Sequence, residues 1–104
     1  MDERIRALLP VGSIVKIKEP SMALMISGIL REVRNEENGA SLVYDYEGVL
    51  YPCGYLDENS TYLFSADDIA EVIHRGYEDE ERDRAMKMLL EYAANEPAEG
   101  GPRQ

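Results

Sequence analysis

The chain has 104 residues, of which 21 are Asp or Glu and 11 are Lys or Arg, for a formal net charge of −10. That size predicts one small domain, and that charge makes phosphate backbones and anionic lipid heads poor partners. One Cys and one His cannot form an internal disulfide or an N/S zinc site, no apolar run is long enough for a bilayer, and a reducing cytoplasm is the expected compartment.

The start, Met-Asp-Glu-Arg, lacks the basic-then-apolar order of a signal peptide. Residues 1–9 place Ile5, Leu8 and Leu9 at i, i+3, i+4 behind two acids, and Pro10 bars continuation, which predicts a helix of about two turns. Val11-Gly12-Ser13 reads as a turn into a strand over 14–18, alternating from Val15 on, and Glu19-Pro20-Ser21 closes it. Residues 23–34 form the next strand, with Leu24 and Ile26 in phase. Gly28 interrupts that alternation and predicts a β-bulge or a close backbone approach. Asn35-Glu36-Glu37-Asn38-Gly39 is the strongest turn signal, because Asn-Gly readily takes the positive φ values of a type I′ hairpin turn. The return strand, 41–51, alternates Leu42, Tyr44 and Tyr46 with Val43, Asp45 and Glu47.

Residues 52–60 read as a loop with Tyr55 and Leu56 between two turn clusters, and 61–64 as a short strand. Ser65 and Asp68 make a capping box in which Asp replaces the usual Glu. The stretch 69–77 reads two ways. Ile69, Val72 and Ile73 fit helical spacing, while 71–75 is β-branched enough for a strand; a turn over 67–70 and then a strand ending at Gly76 is favoured. The acids of 78–83 open the clearest helix, each stabilised by the macrodipole by about 0.3–1 kcal/mol. Its apolar stripe is Ala85, Met86, Leu89, Tyr92 and Ala93, Asn95 stops it, and 95–104 reads as a disordered tail. The fold expected over a single domain, 1–94, is α+β: a three- to five-stranded antiparallel meander, open to an SH3-type half-barrel curl, with an N-terminal helix and a long C-terminal helix.

The candidate chemistry is thin. Cys53 lies in a Pro-Cys-Gly turn with acidic surroundings that disfavour a thiolate, and His74 sits among β-branched residues without an identifiable partner. Neither the acidic run 78–83 nor the stretch 57–62 has calcium-loop spacing, since Tyr62 stands where such a loop needs Gly. The glycines form no phosphate-cradling array. No catalytic residue, metal or cofactor is expected.

Tyrosines account for seven of the eight aromatics, and Tyr joins a large apolar face to a polar tip, which suits half-buried surfaces and interfaces. Tyr44, Tyr46 and Tyr62 are expected to pack on the sheet with their hydroxyls in water, and Tyr51, Tyr55 and Tyr77 to lie beside turns within a partner's reach. The Met-Leu-Leu stripe of the last helix reads first as core, but Met86, Met88, Leu89 and Leu90 cover more than one face, which leaves docking of one side on another chain as the alternative. The candidate partner-binding residues are Tyr46, Tyr51, Pro52, Tyr55, Tyr77 and Met88.

Several phrases carry a family likeness. They are Leu9-Pro10-Val11-Gly12-Ser13-Ile14-Val15, Leu24-Met25-Ile26-Ser27-Gly28, Tyr44-Asp45-Tyr46-Glu47-Gly48-Val49-Leu50-Tyr51-Pro52 with Gly54, Phe64 with Asp68-Ile69, Val72-Ile73, and Gly76-Tyr77-Glu78-Asp79-Glu80. In order and spacing the chain resembles the small bacterial family known as domain of unknown function 4176. Cys53 departs from the pattern, where an acidic or other polar residue is commoner. The resemblance implies a protein partner. Members are typically encoded beside type VII secretion genes and LXG-type toxins of Gram-positive bacteria, as accessory proteins or chaperones. The expected function is therefore a non-enzymatic cytosolic chaperone or adaptor for such a toxin or its targeting helper. An immunity protein that neutralises a toxin is the alternative, and a small enzyme a distant third.

Overall fold

Strands with one buried face show their period in burial, and the first does so plainly. Strand β1 (Ile14–Ile17) buries Val15 and Ile17 and exposes Lys16. It pairs antiparallel with β2 (Met22–Arg34), which buries Leu24 and Ile26 and continues into β3 (Ser41–Leu50). Strands β4 (Thr61–Phe64) and β5 (Ile69–His74) complete a five-stranded antiparallel sheet of order β4-β3-β2-β1-β5. Two helices accompany it, α1 (Asp2–Arg6) and α2 (Glu80–Asn95). The class is α+β as expected, and the order suggests the SH3-type curl.

The computed structural model describes residues 2–95, which fall into two compact units. One is the sheet unit, Leu9–Tyr77; the other is helical and draws on both ends of the chain, 2–8 and 78–95. Asn95 is the last residue of α2, and the rest of the expected tail, 96–104, lies outside the described residues.

In the sheet unit the core is Pro10, Val15, Ile17, Leu24, Ile26, Tyr46, Val49 and Phe64, each large aliphatic or aromatic side chain contributing about 1.5–3 kcal/mol of burial. The Tyr46 and Phe64 rings lie 5.4 Å apart at 34°, within the range of favourable tilted pairs. Gly48 permits this packing, because a Cβ there would lie 3.0 Å from the Phe64 ring and 3.2 Å from the Met25 carbonyl oxygen.

The β-bulge predicted at Gly28 is present, as a register shift between Ile26 and Gly28. The hairpin turn differs from expectation. A type I′ turn needs two residues with positive φ, and here Gly39 alone (φ 73) has one. Asn35 and Asn38 instead use their side-chain oxygens, each accepting from the backbone N–H two residues on, at 2.8 Å to Glu37 and 2.8 Å to Ala40. These local bonds hold a longer loop, closed by the Asn35 N–H to Ala40 O bond at 2.7 Å. Residues 31–42 are all exposed, so the end of the β2–β3 hairpin is a two-stranded arm. At its base Leu30 has a φ of 53°, a left-handed conformation costing a leucine about 1–2 kcal/mol.

Ser65 and Asp68 form the expected box, Asp68 Oδ2 accepting from the Ser65 N–H at 2.9 Å. They close a 3₁₀ turn over Ala66–Asp68, one residue earlier than expected, and Ile69 already begins β5. The ambiguous stretch is thus a strand. It is the terminal strand of the sheet and exposes Val72 and Ile73, with register shifts at both ends of its pairing to β1.

In the helical unit, α1 is shorter than two turns, and bonds from Ala7 N to Glu3 O and Leu8 N to Ile5 O carry the coil on to Leu8. Asp79 caps α2 by accepting from the Arg82 N–H at 2.9 Å. The stripe of α2 is rotated from expectation: Arg82, Met86, Leu89 and Leu90 are half-buried, whereas Ala85 and Tyr92 are exposed. The cause is Arg82, whose guanidinium donates to the Leu8 carbonyl at 3.2 Å and pairs with Glu78 at 3.0 Å, fixing which face turns inward.

Candidate protein-docking surface

After β3 the chain makes two successive closed turns. The Gly54 N–H donates to Leu50 O at 2.7 Å, and Tyr51 N–H donates to Ala23 O at 3.2 Å, so Tyr51 and Pro52 are anchored against the start of β2. The second turn, Glu58–Ser60, is tied by Ser60, whose hydroxyl donates to Asp57 at 3.0 Å and accepts from the Asp57 N–H at 3.1 Å. Tyr55 and Leu56 span the gap, 62% and 60% exposed, and Tyr51 is 49% exposed. With the backbone fixed by turns on both sides, the loop has little main-chain freedom left to lose when covered, which favours binding.

The sequence on either side of this loop is one-sided in charge. Residues 35–74, which include β3, the loop and β4, contain nine acids (Glu36, Glu37, Asp45, Glu47, Asp57, Glu58, Asp67, Asp68, Glu71) and no Lys or Arg. Asp57 and Glu58 sit on the loop itself and are exposed.

Of the residues expected at a partner surface, the structure brings Tyr51, Pro52 and Tyr55 together on this loop. Leu56, read only as part of the loop, joins them; its signal was its position beside Tyr55 between two turn clusters. Tyr77 is 80% exposed but follows β5, three strands from β3 in the sheet. Met88, 67% exposed, belongs to the helical unit, one helical turn before exposed Tyr92. Tyr46 must be reassigned. It is 2% exposed, and its hydroxyl, expected in water, accepts from the Leu9 N–H at 3.0 Å. Its half of the β3 alternation faces the core, so it cannot meet a partner.

Cys53 is exposed in the first turn, and His74 ends β5 across the sheet from it. Among the described residues no group of three or more His, Cys, Asp or Glu is placed to hold a metal ion, and no helix is long and apolar enough to cross a membrane.

Residues 8–85 match the family described as Domain of unknown function (DUF4176). The chain belongs to this family. No curated protein and no solved structure matches it. Within the DUF4176 match, most residues of the Tyr-Asp-Tyr-x-Gly phrase hold the fold together. Asp45, buried, accepts from the Ala66 N–H at 2.8 Å and so fixes the turn between β4 and β5. Glu47 pairs with Arg31 at 3.2 Å. Gly76 lies so close to the Val11–Ser13 backbone that a Cβ would meet Val11 O at 2.8 Å, and its N–H donates to buried Ser13 Oγ at 2.9 Å. Among the residues of these DUF4176 phrases left exposed are Tyr51, Pro52 and Tyr77.

Proposed function

We propose that the protein is a stoichiometric binding partner, a cytosolic chaperone or adaptor that holds a secreted LXG-type toxin, or its targeting helper, before type VII export. The observation that carries this reading is the loop bearing exposed Tyr51, Tyr55 and Leu56 between two hydrogen-bonded turns, in a stretch of sequence, 35–74, that holds nine acids and no Lys or Arg. Tyr and Leu supply contact area, while the acids steer a basic client, raise the encounter rate and keep the complex soluble. The mechanism is binding, with no bond made or broken.

The test is co-expression with the products of the adjacent genes, followed by pull-down and calorimetry. Tyr51→Ala and Tyr55→Ala are expected to weaken capture of the client while the fold is retained, and the association rate is expected to fall as salt rises. Undiminished affinity in both variants removes this loop from the reading.

A further inference from the structure

A second surface lies in the helical unit and has more cations than anions on its rim. A groove of about 510 Å³ runs along α1 and α2, its floor made by Ile5, Met86 and Leu90. Around them stand Arg6, Arg82 and Lys87, with Asp83 the sole carboxylate of the lining. The chain as a whole has nearly two acids for each base, so three cations to two carboxylates, counting Glu78 on Arg82, is a local inversion. Arg82 is fixed by Glu78 and the Leu8 carbonyl. Arg6 and Lys87 are exposed and have no ion pair among the described residues.

We propose that this groove receives an acidic amphipathic helix from a partner protein, independently of the β3–β4 loop. Charge complementarity selects the anionic face, and the apolar floor requires the opposite face to be apolar. Helical form follows from the walls. Helix walls have their own backbone groups paired and offer no ladder to an extended peptide, whereas an incoming helix brings its backbone already satisfied. From Arg82 to Leu90 the α2 wall is about 12 Å long, enough for roughly two turns of such a helix. An adaptor with these two surfaces holds a basic segment on its sheet unit and an acidic helix on its helical unit.

The experiment uses the full chain and a capped peptide of about 15 residues, long enough for measurable helicity, with alternating Leu and Glu pairs. Methyl resonances of Ile5, Met86 and Leu90 are expected to shift on titration. The Arg6→Glu, Lys87→Glu double variant, altered only at exposed side chains, is expected to bind roughly tenfold or more weakly, and Tyr55→Ala to bind unchanged. The proposal is overturned if the acidic peptide leaves those methyls unmoved, or if the double variant binds it equally well. Preferential filling by decanoate identifies a small-amphiphile site and overturns it too. A dimer in sedimentation that only the double variant abolishes assigns the groove to a second copy of the chain, with the same consequence. Loss of client capture by Tyr55→Ala with no peptide binding keeps the loop reading and discards this one.

Discussion

Tyr46 spends its phenol on the chain itself. Its ring packs on Phe64 and its hydroxyl satisfies the Leu9 N–H, so Tyr46→Phe is expected to keep the fold but lower stability by about 1 kcal/mol, read from urea unfolding. Gly76 works by absence. Gly76→Ala drives a methyl into the Val11 and Ser13 backbone and strains the bond to Ser13 Oγ, for an expected cost of about 1–3 kcal/mol in the same measurement. A loss below the error of the assay would show that the close approach is not what this position requires. Neither role was legible beforehand. Alternation in β3 showed that Tyr44 and Tyr46 share a face, but not that the face at position 46 turns to the core. Asp45, one residue away on the other face, is buried as well; a carboxylate in mid-strand signals a partner only once the turn at Ala66 is known to sit beside it.

Among the elements, strands were read well because burial and chemistry agree in them. Val15, Ile17, Leu24 and Ile26 are all buried where the alternation put them. Loops were read less well, because competing local bonds decide them: two Asx side chains outweighed the Asn-Gly preference at the β2–β3 turn. Leu30 gave no signal at all, since no leucine announces a positive φ. Its strain is testable. Leu30→Gly relieves the left-handed backbone while losing a half-buried side chain, and is expected to change stability by no more than about 1 kcal/mol. Leu24→Ala, in the core, is expected to cost about 2–5 kcal/mol. Equal costs in chemical denaturation would mean that Leu30 is not strained. For α2, Asp79→Ala removes the cap on Arg82 N–H and is expected to cost about 1 kcal/mol, seen as lower helicity by circular dichroism on warming.

At the scale of the whole molecule the acid excess works against compactness. A net charge of −10 on 104 residues means self-repulsion in the folded state, so added salt is expected to raise the thermal midpoint as the Debye length shortens from ~10 Å at 0.1 M to ~3 Å at 1 M. A midpoint that falls with sodium chloride would show that ion pairs such as Arg31–Glu47 and Arg82–Glu78 outweigh the repulsion. The order of chain segments matters as well. The helical unit is assembled from the first residues and from those after Tyr77, with the entire sheet encoded between them. A five-residue helix is far too short to persist in water unaided. During synthesis, then, α1 leaves the ribosome before the sheet yet settles after it, waiting on a companion that is translated only once the sheet is complete. Deleting either end is expected to dismantle the same small unit while leaving the sheet to mature without it.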